Sequence, residues 1–353
     1  MRLGDIARES RETFKGDKTD VPIVGLEHLI SQELRFTDYE VNTDNTFTKF
    51  FRKGQILFGR RRAYLKKAAI AEIDGICSGD ITVIEAIPGK VDPQLLPFII
   101  QNDRLFDFAV SRSAGGLSPR VKWEHLADYE LELPSIEEQR VLADKLWAAY
   151  ELKEAYKKMI AATDEMVKSQ FIEMFGKSTK VGINTIVDTV WGSSPESSTY
   201  NDSGNGVPFY QGKTEFGDLY IKAPTTYCTS PIKMAKRNAI LMSVRAPVGA
   251  VNIATQDCCI GRGLAAITPK EGKSTTMFVY YALKYMETEI ERLGTGSTFK
   301  AINKDSYAKI AMPNVGIDEQ MRFVQIAEQA DKSKFELRQA IDKIDKVMKS
   351  LLQ

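Results

Sequence analysis

Apolar residues along this chain follow two different rules. Leu142, Leu146, Ala149, Lys153, Tyr156, Ile160, Thr163 and Val167 recur at alternating spacings of four and three, as do Phe323, Ala327, Ala330, Lys334, Leu337, Ile341, Ile344, Met348 and Leu351. That spacing predicts two long helices with a coiled-coil seam, each interrupted at the same place by a lysine. At 1.5 Å per residue each would be roughly 50 to 60 Å long, and an apolar seam of that length needs a partner, so the two are expected to pack together. Residues 1–133 and 178–311 instead hold short apolar runs of strand type: 22–24, 55–58, 68–71 and 81–84, then 208–210, 239–244 and 263–267. Gly, Pro, Asn and Asp turns separate them, and one helical stretch follows the last run in each, around 93–110 and 275–293. Both segments read as mixed α+β globules.

The helices announce an internal repeat. "SIEEQR" (Ser135 to Arg140) and "GIDEQM" (Gly316 to Met321) stand 181 positions apart, and the same offset carries Lys153 onto Lys334, Ile160 onto Ile341, Asp164 onto Asp345 and Ser169 onto Ser350 without a gap. It also carries Val121, Leu126 and Ala127 onto Ile302, Tyr307 and Ala308, although Pro134 and Pro313 need a two-residue slip. A register held this long is a duplication. Ser135 with Glu138 forms a capping box, Gly316 takes the cap position in the second copy, and Gly176 is placed to end the first helix. The division is therefore 1–133 globule, 134–177 helix, 178–311 globule and 312–353 helix. The globules share only fragments: "GQILFGR" with "NAILMSV", "CSGD" with "CIGR", "VPIV" with "VPFY".

With 353 residues, 43% apolar and 27% charged, the chain has globular statistics and material for two or three cores. No apolar run reaches membrane-spanning length, and the charged N-terminus lacks a signal-peptide pattern, so a cytoplasmic protein is expected. Cys77, Cys228, Cys258 and Cys259 form no C-x-x-C and are expected to be small buried apolar residues. The net charge of +1 means that any basic surface must be local.

Such a surface is readable. No acid occurs between Asp44 and Glu72, where Lys49, Arg52, Lys53, Arg60, Arg61, Arg62, Lys66 and Lys67 stand among Phe50, Phe51 and Tyr64. The second globule has its counterpart between Asp218 and Asp257, with Lys222, Lys233, Lys236, Arg237 and Arg245. Lysines and arginines neutralise phosphates, and arginines reaching groove edges discriminate bases. A solvated turn on a soluble surface is the plain alternative, and recurrence at equivalent places of a duplication favours DNA. Before each helix lies a Gly/Ser/basic loop, "SRSAGGLSPRVK" (Ser111 to Lys122) and "LGTGSTFKAINK" (Leu293 to Lys304), able to bring backbone N–H groups to phosphate. The DNA-binding set is Lys53, Arg60, Arg61, Arg62, Tyr64, Lys66, Lys67, Arg112, Arg120, Lys122, Lys213, Lys236, Arg237, Arg245, Arg262, Lys300 and Lys304.

Catalytic chemistry is not apparent. There is no Asn-Pro-Pro-Tyr or Asp-Pro-Pro-Tyr run and no Gly-rich nucleotide fingerprint, and "EGKSTT" at Glu271 lacks the leading glycine of a P-loop, having Ile267 there. His28 and His125 have no triad or metal spacing around them. "GDITVIEAIPGK" (Asp80, Glu85, Lys90) matches a nuclease carboxylate spacing faintly and reads better as a core strand with solvated ends. No catalytic or metal site is expected.

Taken together, globule, "P-x-I-E-E-Q-R" helix, second globule and "I-D-E-Q" helix resemble the DNA-specificity subunit of type I restriction-modification systems, over the whole chain. "SVRAPVGAVNIA" from Ser243 looks like that family's strand–turn–strand in a target-recognition domain; the matching "GRRRAYLKKAAI" lacks the Pro-Val-Gly turn. The resemblance implies an α+β fold class, with two mixed α/β target-recognition globules joined by two long antiparallel helices as a coiled coil, in an internal pseudo-twofold repeat. It implies a non-catalytic subunit that reads a split asymmetric site in double-stranded DNA, the helices setting the unread gap. It further implies two modification (methyltransferase) subunits and ATP-dependent restriction subunits as partners, with S-adenosylmethionine, ATP and Mg²⁺ on those partners and no membrane association. Glu138, Gln139, Glu319 and Gln320 would belong to the partner surface. A helix-dimerising scaffold without DNA specificity is the alternative.

Overall fold

The computed structural model describes residues 1–295 and 300–352. Packing divides the chain into two compact units, Met1–Tyr156 with Arg338–Gln353, and Lys157–Leu337. Each unit is a globule together with a stretch of both long helices.

The first unit runs α1 (Leu3–Ile6), β1 (Ala7–Glu9), β2 (Ile23–Val24), β3 (Lys49–Phe51), β4 (Ile56–Gly59), β5 (Ala68–Ile70), β6 (Gly75–Cys77), β7 (Ile81–Ala86), α2 (Leu96–Ile100), α3 (Asp103–Ser111) and α4 (Trp123–Leu126). An antiparallel sheet has the order β1-β7-β4-β5, and a smaller sheet has the order β2-β6-β3 with β2 parallel to β6. All four residues of β4 are buried. The reason is visible in the alternation of its side chains. Ile56 and Phe58 enter the core shared with the helices, whereas Leu57 enters a second core with Val24, Phe51 and Cys77 of the smaller sheet. A strand covered on both faces reads as a continuous apolar run, which is why "ILF" shows no polar alternation. Gly75 is required in β6, where its neighbours in the smaller sheet crowd in, because a Cβ there would lie 2.6 Å from the Pro22 carbonyl oxygen and 2.7 Å from the Phe51 ring.

After α5 (Ile136–Phe175), the second unit repeats the plan with β8 (Lys180–Gly182), β9 (Val187–Trp191), β10 (Tyr200–Asn201), β11 (Val207–Tyr210), β12 (Tyr227–Cys228), β13 (Met234–Ala235), β14 (Ile240–Ser243), β15 (Val251–Ile253), β16 (Cys258–Ile260), β17 (Leu264–Pro269), α6 (Thr276–Tyr285), α7 (Glu287–Leu293), α8 (Lys304–Ala308) and β18 (Ala311–Pro313), and ends on α9 (Ile317–Leu351). The order β9-β17-β14-β15 matches β1-β7-β4-β5, and β11 lies parallel to β16 as β2 does to β6. Again the central strand is buried throughout, with Ile240 and Met242 on the helix side and Leu241 on the side of Tyr210 and Ile260. The duplication is thus structural as well as sequential.

The long helices begin as their caps dictate. Ser135 accepts from the Glu138 backbone at 3.4 Å while the Glu138 carboxylate accepts from the Ser135 backbone at 2.9 Å. At the other end of α5, Gly176 N–H closes on the Ile172 carbonyl at 2.7 Å. Within the first unit α5 and α9 run antiparallel: Lys153 meets Asp345, while Leu142, earlier in α5, lines a cavity with Leu351 and Leu352. Within the second, Phe323 near the start of α9 packs edge-on against Phe171 and Phe175 near the end of α5, with ring centroids 5.3 and 5.5 Å apart. Phe175 is fully buried, and truncating it to alanine would cost about 3–5 kcal/mol.

All four cysteines are buried and free, and burial pushes the Cys77 and Cys258 thiols up to about 12, so they behave as apolar packing. His28 is buried and accepts from Gly25 N–H at 2.8 Å, whereas His125 is exposed.

Candidate nucleic-acid interface

The basic residues are sorted by which end of the central strand carries them. In the first unit β4 ends at Gly59 and releases Arg60, Arg61 and Arg62. Arg61 forms a backbone bridge with Arg120, and Arg120 closes a hairpin with Ala114 through paired bonds of 2.9 and 3.0 Å. In the second unit β14 ends at Ser243, Arg245 bridges Ala301, and Ala301 closes on Thr295 through bonds of 3.0 and 2.9 Å. The same strand end therefore meets the same Gly/Ser loop in both units, and an arginine occupies the meeting point each time. Residues 296–299 of the second loop lie outside the described residues.

The surroundings of these arginines differ. The "CSGD" turn places Asp80 beside the first set, its carbonyl accepting from Arg60 N–H at 3.0 Å; at that place the second unit has Gly263, whose carbonyl accepts from Val244 N–H at 2.9 Å, so that Arg262 falls where the first unit has Gly79. Asp80 accepts from Arg120 Nε at 2.7 Å and from Arg61 Nη1 at 3.2 Å. Burial works to raise its carboxyl, but the two guanidiniums outweigh this and hold it below its ordinary value. Arg61 and Arg62 also donate to Ser118 Oγ at 3.1 and 3.4 Å, fixing the hairpin against the strand end. Among the described residues Arg245 has no such acid: the equivalent turn carries exposed Arg262, whose backbone N–H donates to Ser194 Oγ at 3.3 Å, and Lys213 follows β11, whose end pairs beside β16. Lys300 stands next to the bridge and pairs with Glu291 at 3.6 Å. Lys304 is exposed at the start of α8.

Other members of the expected set are placed apart. Lys53, Lys236 and Arg237 sit at the opposite ends of β4 and β14, with Lys236 paired to Asp257 at 2.9 Å. Lys66 donates to Asp103 at 2.6 Å and Lys67 to the Leu26 carbonyl at 2.7 Å, so both ammonium groups serve the fold. Arg62 and Lys66 flank a short turn in left-handed conformation, with Tyr64 54% exposed between them. Arg112 caps α3 with its guanidinium 5.3 Å from the Phe108 ring centre, and Lys122 is exposed before α4. The carboxylates considered for a nuclease are otherwise engaged, Asp80 as above and Glu85 with Arg8 at 2.6 Å and Gln55 at 2.7 Å.

The glutamines of the repeated signature correct an expectation. Gln139 and Gln320 are 3% and 1% exposed, which leaves no side chain to present to a partner. Gln139 accepts from Asp92 N–H at 2.9 Å and donates to the Pro134 carbonyl at 2.9 Å. Gln320 accepts from Ser274 Oγ and Thr275 N–H at 3.0 and 3.1 Å and donates to the Lys273 and Val315 carbonyls at 3.1 and 3.0 Å. They tie each helix start to its own globule, because a buried amide is stable only when its donors and acceptors are satisfied. Glu138 and Glu319 are exposed. A surface the seam analysis missed lies on α5: Ala148, Leu152, Ala155, Met159, Ala162 and Met166 are all exposed and repeat the four-three spacing on a second face. The counterparts by the 181 offset, among them Gln329, Ser333, Glu336 and Lys343, are mostly polar. A second spacing count along the helix would have found this stripe.

Comparison with known proteins agrees with this architecture. Residues 179–346 match the family described as type I restriction modification DNA specificity domain. A relative from Methanocaldococcus jannaschii, assigned as the MjaX type I restriction enzyme specificity subunit, is 29% identical, with 91% of this chain and 81% of that protein covered. A solved chain from a type I R-M system studied for complex assembly and conformational transition has a TM-score of 0.65 and 28% identity, covering all of this chain and 95% of its own. The type I S subunit from M. genitalium shares the fold, with a TM-score of 0.60 at 15% identity over all of this chain and 95% of that one. Residues 179–346 thus match the type I restriction modification DNA specificity domain, and the chain as a whole is similar to the specificity subunits of type I restriction-modification systems.

Proposed function

We propose that this chain is the non-catalytic subunit that reads a split, asymmetric site in double-stranded DNA, one half-site per unit, and directs methyltransferase and restriction subunits to it. The observation that carries the reading is the arginine at the end of the central strand, Arg61 or Arg245, held against the same hairpin in each unit. Shared geometry gives both units one way to approach the duplex, and Asp80 beside the first arginine, where the second unit has Gly263 preceded by Arg262, gives them different bases to prefer, since carboxylates accept from cytosine N4 and arginines donate to guanine.

The partners are two modification subunits and the ATP-dependent restriction subunits, with S-adenosylmethionine, ATP and Mg²⁺ bound by them and not by this chain, all acting in the cytoplasm. The exposed apolar face of α5 suits docking of a partner helix, and Glu138 and Glu319 at the helix starts lie within the proposed partner surface. The names of the relatives support this assignment of roles.

The test is adenine-methylation mapping in a host carrying the neighbouring methyltransferase subunit, with and without this chain. One bipartite motif with a fixed gap, seen only when the chain is present, is expected. Unchanged methylation with an active, stable methyltransferase would favour a helix-dimerising scaffold instead.

A further inference from the structure

Leu117 is 97% exposed, at the tip of the first unit's hairpin. It stands between Gly116 and Ser118, and the hairpin beneath it is closed by the backbone bonds between Ala114 and Arg120. The tip is held in place: Ser118 Oγ accepts from both Arg61 and Arg62, and Arg120 is fixed by Asp80. Gly115 has φ +116°, a conformation other residues rarely adopt, and a Cβ at Gly116 would meet nothing within 4 Å. The turn is therefore built to project one branched apolar side chain beyond a ring of guanidiniums.

We propose that Leu117 is a specificity-determining residue, carried into a DNA groove by Arg61, Arg62 and Arg120, where it makes the apolar contact of the first half-site. This rests on the DNA-reading function proposed above. The guanidiniums meet phosphates or base edges, and an isobutyl group among them gains only from a surface that offers apolar atoms between charges. Bases do so through thymine methyl groups and through the faces exposed at an opened step, where leucine is a known type of wedge. Leu117 itself neutralises no phosphate. Its contribution must then appear in discrimination between sequences and not in the salt dependence of binding.

The experiment uses the full methyltransferase complex and duplex oligonucleotides carrying the motif mapped for the unaltered protein, or that motif with the first half-site scrambled. For L117S the preference for motif over scrambled duplex is expected to fall by about tenfold, the range of one lost base contact, with an unchanged slope of log affinity against log salt. Methylation mapping should show relaxation confined to the first half-site, with L117M retaining more preference than L117S. An undiminished preference in L117S would overturn the inference while leaving the bipartite motif standing. Absence of any motif in the unaltered complex would remove the DNA-reading function first, and the inference with it. Loss of preference at both half-sites would assign Leu117 a structural role and also overturn it.

Discussion

Lys334 Nζ lies 2.5 Å from Asp164 Oδ1 within the second unit, and the repeat-related pair is reproduced within the first, where Lys153 Nζ lies 2.7 Å from Asp345 Oδ1. The lysines that interrupt both apolar seams are thus answered by acids from the other helix, through the residues that the 181 offset also interchanges. Lys334 is the more deeply placed, its side chain 4% exposed against 15% for Lys153, and it has a second acid in Asp331 at 2.7 Å. Asp331 in turn accepts from Tyr281 at 2.6 Å.

Because a buried charge that loses one of its partners is poorly compensated, D164A should destabilise the protein by about 1–3 kcal/mol even though Asp331 still faces Lys334. D345A should cost less, since water reaches Lys153 more readily. Urea unfolding of the two variants gives the ranking, and a larger loss for D345A would contradict it.

The same lysine sets a pH dependence. Burial alone would lower the Lys334 pKa, but Asp164 and Asp331 outweigh it and leave the folded value raised. Its stabilising contribution is then complete below the unfolded lysine value of about 10.4 and is lost as pH rises through the higher folded one. Unfolding midpoints measured from pH 8 to 11 should fall at the alkaline end, and the fall should be smaller in K334M.

Replacing Gln320 with alanine removes partners from a buried backbone N–H and two carbonyls, at a cost of about 1–3 kcal/mol. Gln139 makes two side-chain hydrogen bonds against four for Gln320, so Q139A should be milder. Both variants should leave the methylated motif unchanged. Denaturant midpoints together with motif mapping separate this tie from a recognition role.

D80N should release Arg61 and Arg120 from a carboxylate whose folded pKa is lowered. The added net positive charge should steepen the salt dependence of binding by about one unit of slope, measured by fluorescence anisotropy. The stability supplied by Asp80 is present above the unfolded aspartate value of about 3.9 and lost as pH falls through the lower folded one, a loss that D80N should not show.

M159K and M166K place charges on the exposed face of α5 without touching a core. Folding should be unchanged, while recovery of the methyltransferase subunit in co-purification should drop at least tenfold. Full recovery would remove this face from the partner surface.

The two long helices, their caps, the seam with its lysines, the duplication and most central strands follow from the sequence, because each depends on neighbours a few residues away: a period of 3.5, a serine three residues before a glutamate, an apolar run bounded by glycines. Short strands such as β6 and β16, three residues each, carry too few residues for a period and emerge only from pairing. Basic runs marked the proposed interface but could not sort it. Arg61 and Lys66 are five residues apart, yet one reaches the hairpin and the other turns to Asp103, since a strand end and the turn after it point in different directions. The partnership of Asp80 with Arg120, the inward turn of Gln139 and Gln320 and the projection of Leu117 each join segments far apart in sequence or oppose a side chain's usual surroundings. Composition and spacing determine which elements form; only tertiary packing decides which charges are neutralised by the fold and which are left exposed, because that choice is made by whichever groups the fold brings within hydrogen-bond reach.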